Sequence, residues 1–321
     1  MSQEYRLKKD GFINRDKKIL FTFNGKKMFG YEGDSLASAL LANGIHLVGR
    51  SFKYHRPRGF FGAGVDEPNA KVQLYKDEKT EPNANATEIE LVEGLEAKSQ
   101  NCWPSVFFDI GAINNFFHKF FPAGFYYKTF MWPKNFWYKI YEPIIRRAAG
   151  LGVAPLKPDP DRYEHKYEYC DILVVGSGPS GLSSALAAAK NGARVILAED
   201  KPRFGGSLLT DAVTIGNKKG KDWADDVVLQ LKSMPNVIIK NRSQVFGYYD
   251  HNMLVMFERT KDHIQNPNKF IPRQKLWYIR AKEVIICTGS IERPLVFGNN
   301  DRPGILLASA AKEYLKVYGV L

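Results

Sequence analysis

Cysteine is scarce in this sequence: Cys102, Cys170 and Cys287 are the only three in 321 residues, and no two form a C-x-x-C pair. That excludes a disulfide framework and a four-thiolate metal site within the chain. Cys170 and Cys287 fall at or in expected buried strands and read as small core residues. Long apolar runs are missing as well. No stretch reaches the roughly 18 uninterrupted apolar residues that a membrane helix needs, and the opening MSQEYRLKKDG has no apolar signal core. A soluble, cytoplasmic protein with no membrane contact is expected. Acidic residues are outnumbered, 34 against 46 lysines and arginines, for a net charge of +12. The basic residues are scattered among acids and no recognised nucleic-acid-binding motif occurs, so nucleic acid is not expected as a partner. A basic surface facing an acidic partner subunit is the better account of the charge. No Ser/His/Asp constellation, metal cluster or acid pair is present, so no catalytic residue is assigned.

What the chain does contain is one dense stretch, CDILVVGSGPSGLSSALAAAKNGARVILAEDKPRFGG, residues 170–206. Residues 171–175 form a short apolar run of the kind that makes a buried parallel strand. Gly176, Gly178 and Gly181 follow in G-x-G-x-x-G spacing, and the Ala- and Leu-rich residues 182–190 read as a helix stopped by Asn191-Gly192. A second apolar run, 194–198, ends on Glu199. The three glycines differ in what they allow. Gly176 permits the tight turn, Gly178 lets a pyrophosphate approach the backbone, and Gly181 lets helix and strand pack closely. Glu199 stands where an acid accepts hydrogen bonds from an adenosine ribose. Strand, glycines, helix, strand and acid together predict a dinucleotide fold. The candidate cofactor contacts are Gly176, Gly178, Pro179, Ser180, Gly181, Glu199 and Asp200. Gly205, Gly206 and Ser207 offer a second backbone approach, and Thr288 and Gly289 close a later strand.

The first hundred residues have a different plan. Residues 18–23 alternate into a strand, Asn24-Gly25 is a two-residue hairpin signal, and 26–31 return. Asp34 or Ser35 can cap a helix through Leu41, stopped at Gly44, and residues 45–48 begin an extended segment. Hairpin, helix and strand open a β-grasp, ferredoxin-like domain. In [2Fe–2S] ferredoxins the next loop carries C-x₄-C-x₂-C; here residues 49–64, GRSFKYHRPRGFFGAG, hold no cysteine, so no iron–sulfur cluster is expected. This loop gathers Arg50, Lys53, His55, Arg56 and Arg58 among aromatic residues. It reads either as a solvated basic loop with aromatic anchors or as an anion site where arginine forks meet phosphate or a partner's carboxylates. Residues 72–74 are a strand candidate, 77–87 an exposed loop and 88–92 a last strand.

Residues 104–147 are the most aromatic part of the chain, too often broken by proline and charge for a membrane span. Short helices burying aromatic faces against another domain or chain are expected, with His118 structural and 149–160 a linker. Beyond the glycine-rich stretch, 221–232 read as a helix, 237–240 as a strand and 244–259 as a hairpin across 250–252. Strands at 276–280 and 282–288 follow, the latter closing on Thr288-Gly289, and a helix spans 308–318. The expected domains are a cluster-less β-grasp domain at 1–100, an aromatic connector at 101–165 and a dinucleotide-binding domain at 166–321. The fold class is thus α+β followed by an α/β, Rossmann-like FAD/NAD(P)-binding domain of the two-dinucleotide-domain flavoprotein type.

This order of parts, together with GRSFKYHRPRGFFGAGVDEPNA, PAGFYYKTFMWP, YEPIIRRAAGLG and FGGSLL, closely resembles the alpha subunits of heterotetrameric sarcosine oxidases. The resemblance implies NAD at the glycine-rich site, with FAD as the alternative occupant. It implies a partner beta subunit that carries FAD and FMN and oxidises sarcosine to glycine with release of hydrogen peroxide. Gamma and delta subunits complete such complexes, and the one-carbon unit passes to tetrahydrofolate on a C-terminal domain of alpha. The present chain looks like the N-terminal third of such a subunit, so neither folate binding nor activity alone is expected of it. Two other readings stay open: an alpha-like subunit of a related proline, opine or other secondary-amine dehydrogenase, and a non-catalytic scaffold holding a structural nucleotide.

Overall fold

The computed structural model describes residues 3–75, 80–122, 124 and 130–321. They divide into two compact units, Met1–Pro160 with Glu292–Leu321, and Asp161–Ile291.

In the first unit, β1 (Asn14–Phe23) and β2 (Lys26–Glu32) form an antiparallel hairpin. Asn24 and Gly25 both take positive φ, 50° and 76°, as a tight primed turn requires. Helix α1 (Leu36–Ala42) is wholly buried. Ser35 rather than Asp34 caps it: Ser38 N–H donates to Ser35 Oγ at 3.1 Å and Ser35 N–H to Ser38 Oγ at 3.0 Å. Asp34 instead forms a buried ion pair with Arg6 at 2.7 Å. Two short strands, β3 (Gly49–Arg50) and β4 (Pro57–Arg58), pair across the basic loop, one residue beyond the extended segment expected at 45–48. Strands β5 (Lys71–Tyr75), β6 (Glu81–Asn85) and β7 (Leu95–Ser99) complete a five-stranded sheet in the order β2-β1-β7-β5-β6.

Two expectations fail here. Residues 81–85 of the supposed exposed loop form β6, an edge strand where Pro82 is tolerated; residues 77–79 lie outside the described residues. Residues 88–92 are not a strand. Ile89 C=O accepts from Leu36 N–H at 2.8 Å and Leu91 N–H donates to Asp34 C=O at 2.9 Å, so this segment wraps the start of α1. The strand that pairs parallel with β1 is the more polar LEAKS.

The aromatic connector carries short helices, among them α2 (Ile113–Phe116) and α3 (Glu142–Ala149); residues 123 and 125–129 lie outside the described residues. Phe116, Trp132 and Tyr138 are each more than four-fifths exposed, and His118 is exposed.

The second unit holds a six-stranded sheet and a separate two-stranded one. Its elements are β8 (Tyr163–Val175), α4 (Pro179–Lys190), β9 (Val195–Ala198), β10 (Thr214–Ile215), β11 (Lys218–Lys219), α5 (Gly220–Ser233), β12 (Val237–Lys240), β13 (Ser243–Tyr249), β14 (Met253–Arg259) and β15 (Gln274–Ile286). The order is β12-β9-β8-β15-β14-β13, with the first four strands parallel. The two strands expected at 276–280 and 282–288 are one strand, β15. On one face Leu182, Ala185, Ala224, Val227 and Leu231 of the helices bury Val174, Val195 and Leu197. On the other, Cys170, Leu173 and Ile196 pack with Leu254, Met256 and Ile279. Each such Leu, Ile or Val contributes about 1.5–3 kcal/mol. Cys170 is a core residue whose thiol burial pushes up to about 12.

The segment expected to end the dinucleotide domain belongs instead to the first unit. Helix α6 (Ala308–Glu313) continues as a wider turn through Tyr318 and stops at Gly319, φ 64°. Its Tyr314, Val317 and Tyr318 are buried. Val320 bridges Arg6, and Phe12 N–H donates to Val317 C=O at 2.7 Å.

Candidate functional site

The end of β8 meets the start of α4 at the three glycines, two of which are required by close neighbours. A Cβ on Gly176 (φ 96°) would lie 2.4 Å from the Cys287 carbonyl oxygen. One on Gly181 would lie 1.9 Å from the Gly176 carbonyl oxygen, which is the close helix–strand contact its place in the motif calls for. One on Gly178 would meet nothing within 4 Å. Gly178 is the N-cap of α4, and no side chain caps this helix. Pro179 has no N–H to satisfy, and the first intrahelical bond runs from Leu182 N–H to Gly178 C=O at 2.9 Å. The N–H groups of Ser180 and Gly181 therefore stand at an uncapped positive helix end beside open space.

The other candidates converge on this point. Gly206 (φ 52°) sits so near that its Cβ would be 2.9 Å from Gly178 Cα. Gly205 (φ 123°) donates its N–H to the Ser177 carbonyl at 3.1 Å and to Ser177 Oγ at 3.2 Å. Ser207 is exposed in the short turn that follows. Cys287 N–H donates to Val175 C=O at 2.7 Å, which carries exposed Thr288 and Gly289 past the Gly176 turn.

Glu199 leaves the end of β9 and is 6% exposed. Its Oε2 accepts from Ser177 N–H at 2.9 Å and Ser177 Oγ–H at 2.5 Å, and Oε1 from Lys201 N–H at 3.0 Å. Burial first, then a hydrogen bond and the charge of Asp200, push its carboxyl up to about 7, against the pull of Ser177 and Lys201. Ser177 is the residue that sequence reasoning missed. It occupies a variable position of the motif, yet it is fully buried and ties both glycine turns to Glu199. A hydroxyl directly before the second glycine is the only signal the sequence offers for it.

The residues fit an adenine dinucleotide: room at Gly178 for a pyrophosphate, two amides and a helix dipole facing it, and a carboxylate one strand over.

The basic loop is different. Arg50 donates from Nε and Nη2 to the Val106 carbonyl at 2.8 and 2.7 Å, and from Nη1 to the His55 carbonyl at 3.1 Å. Arg56 grips Asp301 with two 2.7 Å bonds, and Arg58 joins the same carboxylate. Burial and the neighbouring Arg56 and Arg302 charges hold Arg58 below its ordinary pKa. His55 Nδ1 lies 2.6 Å from Asp109 Oδ2 in a buried pair. The arginine forks do meet a carboxylate, but it is the chain's own Asp301. Arg50, Arg56 and Arg58 are thus all engaged within the chain.

Comparison with known proteins agrees with these two units. A 2Fe–2S iron–sulfur cluster binding domain matches residues 16–102, and an FAD dependent oxidoreductase domain matches 171–234. The cluster does not fit the first: thiolates must hold it, and within 16–102 the only cysteine is Cys102, at the edge of the match and outside the loop. The sarcosine oxidase subunit alpha of Rhizobium meliloti (strain 1021) is 54% identical over 316 residues, covering 98% of this chain and 32% of that protein. That of Corynebacterium sp. (strain U-96) is 34% identical over 313 residues, 96% of this chain and 28% of that one. L-proline dehydrogenase from P. horikoshii superimposes with a TM-score of 0.64 at 21% identity, covering 99% of this chain and 49% of that one, a likeness of fold. The chain thus spans about a third of the length of the curated relatives it matches. It is homologous along nearly all of its own length to sarcosine oxidase alpha subunits, in keeping with their N-terminal part.

Proposed function

We propose that this chain is the dinucleotide-holding portion of the alpha subunit of an amine-oxidising complex of the sarcosine oxidase type. The observation that carries the reading is the uncapped helix end at Gly178, open on its ligand side and flanked by Gly206 and Glu199. NAD is the proposed occupant and FAD the alternative, the latter favoured by the family matched at 171–234. Gly178, Ser180 and Gly181 bind the pyrophosphate, Gly205 and Gly206 crowd its far side, and Oε1 of Glu199 accepts from the adenosine ribose. Glu199 also disfavours a ribose 2′-phosphate. Arg194, which could have attracted one, is stacked over the Tyr169 ring at 4.4 Å. When bound, such a group supplies hydride exchange.

Among the described residues we assign no acid, base or nucleophile to amine oxidation, and we place the oxidation of sarcosine on the flavins of a partner beta subunit. The exposed aromatic connector is the surface on which we place that contact. Among the described residues no helix is long and apolar enough to cross a membrane.

The test is to purify the chain, release any bound nucleotide by acid and identify it by mass and absorbance. Hydrogen peroxide release from sarcosine, proline and an opine is then compared with and without a flavin-carrying beta subunit. NAD or FAD at one per chain, with turnover of sarcosine only in the complex, supports the reading. No adenine dinucleotide, or turnover by the chain alone, overturns it.

A further inference from the structure

The loop that lacks cluster ligands is nonetheless built around a negative charge. Glu67 is 1% exposed. Its Oε2 accepts from the N–H groups of Phe61 and Gly62, both at 2.6 Å, and its Oε1 from Asn69 at 2.6 Å and Ala70 at 3.1 Å. Four backbone amides thus saturate one carboxylate, two to each oxygen. Among the described residues no lysine or arginine forms an ion pair with it. An isolated buried carboxylate is very costly; converging amide dipoles are what make this one tolerable.

The same peptides are held from the other side by the returning C-terminal segment. Leu307 N–H donates to the Phe61 carbonyl at 2.9 Å, and the buried Tyr314 hydroxyl donates to the Gly62 carbonyl at 3.0 Å. Phe60, 3% exposed, meets the Tyr314 ring edge-on. Residues 60–70 therefore have an anion inside and a tyrosine outside.

We propose that this loop is a preformed oxyanion site whose resident anion is the side chain of Glu67, held by four backbone amides. Small carboxylates such as formate are the ligand class the nest takes once the side chain is removed. The proposal is independent of the dinucleotide reading, since it concerns the other unit.

The experiment replaces Glu67→Ala in the full chain and follows thermal unfolding and amide exchange. Four unpaired buried amides should lower Tm by about 10 °C and speed exchange at Phe61, Gly62, Asn69 and Ala70. Sodium formate should restore both in part, whereas neutral formamide and sodium chloride at equal concentration should not. Unchanged Tm and exchange, or equal rescue by formate and formamide, would overturn the proposal. If Glu67→Ala does not fold, Glu67→Gln decides the matter. Its amide nitrogen must face two donors, so exchange should rise at one amide pair and not in β1 or β7. Unchanged exchange at all four amides overturns it again.

Discussion

Two loops of this chain turn backbone N–H groups toward a point, and they differ in what fills that point. Around Glu67 four amides close on a carboxylate that the loop itself carries. At Gly178 an uncapped helix begins where a Cβ on that glycine would meet nothing within 4 Å. The first loop is complete without a ligand; on the function proposed above, the second is complete only with one. The difference lies in a single kind of choice, whether the anion is written into the sequence or left to arrive from solution. It also separates two sorts of glycine, those that the fold needs and those that the ligand needs.

Substitution tests that separation most sharply at Gly181. A valine there would drive its Cβ into the Gly176 carbonyl at 1.9 Å, and backbone cannot yield as a flexible side chain does. Gly181→Val should cost more than about 4 kcal/mol and abolish cooperative unfolding of the second unit by calorimetry. A Tm within a few degrees of the parent would show that the helix can slide on the sheet, and would break the distinction.

Gly178→Val should do the reverse. Its side chain enters open space, so Tm should move little, while the phosphate loses its approach and dinucleotide affinity falls by about 100-fold or more. Isothermal titration with NAD, and with FAD, reads this directly. Parental affinity would place the pyrophosphate elsewhere.

The smallest effect expected is at Glu199, which stands between the two cases because the protein already satisfies most of it. Its carboxyl is raised to about 7 from an ordinary 4.5 by burial and by Asp200. Between those values the native state keeps a proton that the unfolded chain has released. Its contribution to stability is therefore full below about 4.5 and is lost as pH rises through 7. Glu199→Gln, which cannot titrate, should remove a pH-dependent term on the order of 2 kcal/mol. Urea unfolding at pH 5 and pH 8 measures it; an unchanged difference between the two pH values would mean that Glu199 is ionised throughout.

The glycine triplet is legible in the sequence because its constraints are local. Turn, cap and close packing all act within a few residues, and the acid follows at a fixed spacing. Ser177 and Glu67 are not, because one serine or one glutamate in a loop carries no pattern until the chain has folded around it. The basic loop shows the same limit over a longer range. Arg56 finds its carboxylate at Asp301, 245 positions away, and no periodicity points across that interval. Leu95–Ser99 carries little strand signal because a strand paired on both sides by backbone needs little help from its side chains. Residues 308–318 read as a helix from their own composition, but order along the chain assigns them to the unit they follow, and order in space does not.

That return has a consequence for the timing of synthesis. Between Pro160 and Glu292 the ribosome makes the whole second unit, and only then does it deliver the segment that covers the Glu67 loop. At ordinary translation rates the interval is on the order of ten seconds. Throughout it, Phe60 and the carbonyls of Phe61 and Gly62 wait without Tyr314 and Leu307. A loop that carries its own anion can hold its shape through that wait, whatever else the growing chain has yet to supply.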